Sequence, residues 1–188
     1  MKTRSFASAL AVLAAVTAPA GAQQRLLPAQ SEIAFTSKQM GVPVDGRFRS
    51  FDAQIAFDPK KPDASKIAIT IALASASLGS AETDAELVKP EWFAALRFPQ
   101  ATFQSSAVKA VGPGRFEVTG QLAIKGTSQE VVVPVALTQA VAGTIASGMF
   151  VIRRLDFHIG DGDWKDTSLV ANDVLVRFKL TLTGVGAL

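Results

Sequence analysis

Arg153 and Arg154 stand side by side in Phe150-Val-Ile-Arg153-Arg154, a stretch that otherwise alternates like a strand. Neighbouring residues on a regular strand point to opposite faces, so one guanidinium should be carried inward unless a bulge intervenes. An inward arginine needs a partner. Its planar fork of donors suits a phosphate, carbonyl or carboxylate head group; the alternatives are an internal ion pair with Asp156, Asp84 or Glu86, or a side chain snorkelling to the rim. Lys38 and Arg47 flank the first turn and could line a mouth, or serve as ordinary solvated charge. Asp156 and His158 are two apart on the same expected strand face, a spacing two metal ligands can share, with Asp161 and Asp163 nearby. With one histidine, no cysteine and an incomplete calcium-loop pattern, no metal site is expected.

Covalent chemistry has little to work with. The chain carries no Gly-x-Ser-x-Gly elbow, no glycine-rich phosphate loop and no dinucleotide fingerprint, and its single histidine is the one imidazole base for any serine nucleophile. Lys125-Gly126-Thr127 lacks the upstream glycines of a phosphate loop and reads as a hairpin turn. The expectation is a binding protein with no catalytic residues and no cofactor other than a bound ligand.

The elements that must position these residues are strands. In Lys66-Ile-Ala-Ile-Thr-Ile-Ala-Leu73, a period of two puts Ile67, Ile69, Ile71 and Leu73 on one side and Ala68, Thr70 and Ala72 on the other. The pattern returns at Phe51/Ala53/Ile55/Phe57, Phe116/Val118/Leu122/Ile124, Val131/Val133/Val135/Leu137 and Val174/Val176/Phe178/Leu180/Leu182. Strands are predicted at about 31–39, 47–58, 66–75, 101–110, 115–125, 130–139, 148–159 and 172–183, separated by turn chemistry such as Gly41 to Gly46 with Pro43, and Gly112-Pro113-Gly114. Ser80 to Lys89 breaks the alternation and predicts a short helical insertion, around 81–95, with Thr83 and Glu86 as a capping box and Pro90 as its end. Eight antiparallel strands can close on themselves around either packed side chains or one small ligand. The alternation by itself fits a barrel or a sandwich, with an interior either filled or hollow.

Phenylalanine is prominent, 12 residues against no tyrosine. Phe35, Phe48, Phe51, Phe57, Phe93, Phe103, Phe150 and Phe157 lie in or beside the strands, where they suit a dry tunnel wall or an ordinary core. Trp92 and Trp164 could gate an opening, touch a membrane surface or pack as a lid. Alanines opposite the large residues, Ala68, Ala72 and Ala74 among them, fit a weak homodimer surface or a thinly covered exterior.

Lys2 and Arg4, an uncharged run from Ser5 to Ala18 and the small residues Ala20-Gly21-Ala22 read as a secretory signal over residues 1–22, with a single domain over 23–188. A periplasmic location is expected. Lys2 and Arg4 belong to the leader, which leaves 17 basic against 16 acidic residues in the rest, a net of +1 that gives nucleic-acid binding no support. With no cysteine, the domain must stand on burial alone.

The order of several segments is specific. Ser31-Glu-Ile-Ala-Phe-Thr-Ser-Lys38 before Met40-Gly41, Gly46-Arg-Phe48 with Phe51, and Asp84 through Trp92-Phe93 to Phe98-Pro99-Gln-Ala-Thr-Phe-Gln-Ser105 come first. Val118-Thr-Gly-Gln-Leu-Ala-Ile-Lys-Gly-Thr127 and Phe150 to Arg153 with Asp156-Phe157 follow. Together they resemble the YceI-like proteins over the whole expected mature chain, with two departures: Gln39 where the family often has His, and His158 where a small residue is usual. The resemblance implies a lipocalin-like all-β barrel, eight-stranded and antiparallel, whose apolar channel sheathes an isoprenoid-type lipid, a polyprenyl phosphate or prenyl quinone, for storage or transport. It implies a channel wall that includes Ile55, Ile69, Ile71, Leu87 and Ile152 besides the aromatics, and a head group met by Lys38, Arg47, Arg153 or Arg154. The competing expectation is a solidly packed barrel serving as an interaction module for a membrane redox protein.

Overall fold

Alternating β-branched and aromatic residues favour the pleated, half-buried surface of a sheet, and in the computed structural model most of the described residues are in strands. It describes residues 24–187; the expected leader, residues 1–22, lies outside them. The strands are β1 (Arg25–Leu26), β2 (Glu32–Gln39), β3 (Val42–Phe48), β4 (Phe51–Ala56), β5 (Lys66–Ala72) and β6 (Ala76–Ser77), then β7 (Gln100–Gly112), β8 (Arg115–Ile124), β9 (Thr127–Ala140), β10 (Gly143–Arg153) and β11 (Asp173–Thr183), with one helix, α1 (Ala81–Leu87), between β6 and β7. They form a single antiparallel sheet in the order β4-β5-β7-β8-β9-β10-β11-β2-β3-β6, with β1 on β11. The order follows the chain, as a meander should, and β11 returns beside β2.

The count is eleven among the described residues, not the expected eight. Two of the expected strands are bent rather than straight. The chain kinks at Arg49-Ser50, so that β3 pairs with β2 while β4 pairs with β5. Likewise a 3-10 turn, Leu73–Ser75, separates β5 from β6. The two kinks cross and are stapled by Arg49 N–H to Ser75 O at 3.1 Å and Ala72 N–H to Ser50 O at 3.0 Å. Bending lets one chain segment serve both ends of a curled sheet, which a straight segment could not do. On the far side of β4, Phe57 N–H donates to the Gln24 side chain at 2.8 Å, just ahead of β1. The sheet is thereby curled into a barrel-like, lipocalin-like shape.

Residues 41–46, expected as a turn because of Pro43, belong mostly to β3. The turn is tighter, at Met40-Gly41, where both residues have positive φ. Pro43 is tolerated because β3 pairs with β6 only at Arg47 and Phe48, which leaves its outer edge free where proline lacks a donor. The helix is shorter than expected, ending at Leu87. Its N-cap is Ser80, whose side chain accepts from Thr83 N–H at 3.2 Å, and not the Thr83/Glu86 box. Strand β10 stops at Arg153 and gives way to a 3-10 turn, Arg154–Phe157, so Asp156 and His158 do not share a strand face.

Candidate functional site

Period two carries every second side chain of the curled sheet inward, and these do not meet in the middle. They surround a cavity of about 390 Å³, within the ~300–1,000 Å³ typical of small-molecule sites. One reason is visible at Phe35 and Gly46, which are direct cross-strand partners. A Cβ at Gly46 would come within 2.3–2.8 Å of three Phe35 ring carbons, so the glycine lets that ring lie down against the wall instead of projecting to the axis. Phe178 lies over its partner Gly148 in the same way.

Phe35, Phe48, Ile55, Phe57, Ile69 and Ile71 line the cavity, and so do Leu87, Trp92, Phe93, Phe103, Phe150, Ile152 and Trp164. Phe51 and Phe157 do not. Phe51 borders a second, open cleft beside the kink after β3, together with Arg47; Phe157 is buried in the cluster around Leu73, Phe93 and Ile159. Further lining comes from Val118, Val133, Val135, Ala146, Val176 and Leu180. For all but Ala146, which lies ahead of the strand expected at 148–159, the signal was the same period two in β8, β9 and β11; what the sequence lacks is any mark that separates a wall residue from a filler.

One end of the cavity is roofed by α1 and the loops 88–99 and 154–172. Phe93 packs against Phe48 with ring centroids 5.9 Å apart, and Trp92 against Trp164 at 5.3 Å. Gly160 N–H and Asp161 N–H both donate to Glu91 O, at 2.8 and 2.9 Å, which ties the two loops together.

Arg154 holds the second loop from within. It is 2% exposed. Its five N–H groups donate to five main-chain carbonyls: Nε to Ala171 at 3.0 Å, Nη1 to Ile159 at 2.8 Å and Gly160 at 3.1 Å, and Nη2 to Trp164 at 2.6 Å and Val170 at 2.7 Å. Burial lowers its pKa from the usual arginine value, against which the charge of Asp161 acts. Arg154 is therefore inward, though from the 3-10 turn after β10 and not from a strand face, and its donors are taken by the fold, not held out to a head group. Nor are its partners the expected carboxylates. Asp84 accepts from Leu78 N–H at 2.7 Å and pairs with Arg49 at 3.1 Å, and Glu86 pairs with Lys89 at 2.6 Å.

The other expected head-group residues face outward. Arg153 is exposed and lies 3.7 Å from Asp156. Lys38 is exposed on β2, between the inward-facing Ser37 and Gln39. Arg47 reaches only the outer cleft. Lys125, missed as anything but a turn residue, sits under the roof with Nζ 2.5 Å from His158 O and 3.5 Å from Asp161. Apart from Arg154, the polar residues lining the cavity among the described residues are Ser37, Gln39, Thr83 and Glu86. All four belong to the roofed end, since Gln39 bridges to Val170 of the second loop and Thr83 and Glu86 are on α1.

The YceI-like domain model matches residues 25–182. The chain belongs to the YceI-like family. Curated relatives align over about half their length: a UPF0312 protein of Azotobacter vinelandii is 36% identical over 88 residues, 47% of this chain and 46% of the relative. Protein YceI of Salmonella arizonae is 38% identical over 86 residues, 46% of this chain and 44% of the relative. Among solved structures, Burkholderia cenocepacia BcnA is similar with a TM-score of 0.80 and 40% identity, covering 84% of this chain and 99% of BcnA. A polyisoprenoid binding domain from Saccharophagus degradans shares the fold at a TM-score of 0.70 and 17% identity, covering 86% of this chain and 98% of that domain.

One backbone conformation outside the cavity bears on the stability of this YceI-like chain. His158 is exposed and left-handed, with φ 56° and ψ 32°, a conformation that costs an L-residue about 1–2 kcal/mol and a glycine almost nothing. Because glycine also loosens the unfolded chain, His158→Gly is expected to stabilise the protein by a net ~0.5 kcal/mol, measured as a raised urea midpoint at constant slope.

Proposed function

We propose that this protein is an exported, periplasmic carrier that holds the tail of an isoprenoid-type lipid in its barrel cavity, for storage or transport and without covalent chemistry. The observation that carries the reading is the cavity of about 390 Å³ running between the inward faces of the sheet and walled almost wholly by aliphatic and phenylalanine side chains. Apolar walls without donors favour a hydrocarbon, and each methylene moved from water into them is worth ~0.8 kcal/mol. Water left in such a space would have few partners. The family relation and the polyisoprenoid-binding neighbour support the same ligand class. Exposed Met40, Val42, Trp164 and Leu169 around the roofed end support brief contact with a membrane surface during loading.

Native mass spectrometry of the purified protein, followed by organic extraction, tests the proposal. The expected result is one prenyl lipid per chain. Protein that emerges empty, and whose thermal midpoint does not rise with added prenyl lipids, would overturn it.

A further inference from the structure

Resting on the reading of the cavity as a lipid site, we infer that the tail enters and leaves it sideways, through a seam in the wall between β9 and β10, while the roof stays shut. The pairs between these two strands run from Ala140 with Gly143 to Ala136 with Ser147 and then stop, and no pair follows among the described residues. Both strands continue beyond that point. β9 stays paired to β8 as far as Thr127, and β10 to β11 as far as Arg153. Residues 127–135 and 148–153 are therefore each held on one side only. They form the half of the wall next to the roof, since Arg153 leads into the 154–172 loop.

The break has a cause in the sequence. Pro134 has no N–H to donate. Its ladder with β8 runs unbroken through the pair Glu117 with Pro134, and a donor missing on that side would have interrupted it, so the missing donor belongs to the side of β10. Gly148 lies opposite, so close that a Cβ there would run into Pro134 O. Proline is ordinarily confined to the edges and bulges of a sheet; here it creates two internal edges.

Side chains close the seam. Val131, Phe150 and Ile152 pack in one apolar cluster with the buried Phe157, and Val133, Phe150 and Ile152 line the cavity. At alternate positions of the same strands, Val132, Met149 and Val151 point outward and are each more than half exposed. A hydrocarbon passing between them exchanges one set of apolar contacts for another, and such contacts have no direction to satisfy. The roof offers no such exchange. Opening it parts Arg154 from its five carbonyls, Glu91 O from the N–H groups of Gly160 and Asp161, and Met40 N–H from Leu169 O, and buried polar groups left unpaired are costly. The lower barrier is at the seam.

The chain has no cysteine, so introduced thiols are the only ones to react. A short bismaleimide joining Val132→Cys to Val151→Cys locks the seam; the same reagent joining Met40→Cys to Leu169→Cys locks the roof. Uptake of geranylgeraniol from phosphatidylcholine vesicles is followed by stopped-flow fluorescence of Trp92 and Trp164, which line the cavity. The seam lock is expected to slow uptake and release at least tenfold each at unchanged equilibrium affinity, and the roof lock less than twofold. Pro134→Val, which returns the missing donor, should slow both severalfold without a linker. Unchanged rates under the seam lock, or a roof lock that slows uptake as much, overturn the inference and leave the lipid site standing; no binding by the unlocked protein overturns both. Hydrogen exchange of the empty protein checks the seam without a ligand. Amides of 128–133 and 149–153 that point into it should exchange well ahead of those joining 136–140 to 143–147, and equal protection of the two sets overturns the inference.

Discussion

Arg154→Met is expected to lower the stability of this protein by about 3–5 kcal/mol, the range seen when one partner of a buried charged network is removed. The substitution preserves much of the volume and deletes five donors at once. Five carbonyls, of Ile159, Gly160, Trp164, Val170 and Ala171, then face a buried space without partners, and unsatisfied buried groups cost about 1–3 kcal/mol each where water cannot reach them. Part of that cost is relieved as the loop opens. Arg154→Lys restores the charge but has three donors in place of five and no planar fork, so it should recover only part of the loss. Urea unfolding measures both. A fall in the thermal midpoint of about 10 °C accompanies a loss of this size in a chain of this length. A change below about 1 kcal/mol for Arg154→Met would show that the carbonyls find other partners and that the roof does not hang on this side chain.

Ala146→Phe is expected to weaken prenyl-lipid binding by more than tenfold with little change in stability. Ala146 stands on β10 between Leu180 of β11 and Leu137 of β9, and all three line the cavity. A ring placed there enters empty space, so the usual penalty for overfilling a packed interior, about 1–3 kcal/mol, should be largely absent, and new apolar contacts offset what remains. The space the ring takes is the space a hydrocarbon tail needs. Fluorescence titration and thermal unfolding of the same sample separate the two effects. Full lipid occupancy in this variant would place the ligand elsewhere; a large loss of stability would mean that the centre is packed around Ala146.

Much of the fold was legible in local sequence. The alternation in β5, β8, β9 and β11 marked both the strands and their inward faces, and Ser80 to Lys89 stood out as the one helical interruption. The errors came where a local rule met a tertiary need. Pro43 read as a turn, yet it sits in β3 because the edge there is unpaired. The segments 47–58 and 66–75 read as continuous strands, yet both bend where the curled sheet must be joined.

For the site, residue type named the chemistry but not the direction. On an unbroken strand, adjacent Arg153 and Arg154 would send one guanidinium inward; β10 instead ends at Arg153, and the 3-10 turn that follows carries Arg154 inside. Which one, and what it bonds, depended on the 154–172 loop folding back to offer its carbonyls. By itself the sequence determined that this chain makes an antiparallel sheet with one oily face, because period two is a property of neighbours along the chain. That the oily faces stand apart around a cavity, and that the guanidinium of Arg154 is engaged by the 154–172 backbone, was decided only in three dimensions. Hollowness depends on how rings such as Phe35 lie across glycines of other strands, and the donors of Arg154 are engaged only because the loop after it folds back to meet them.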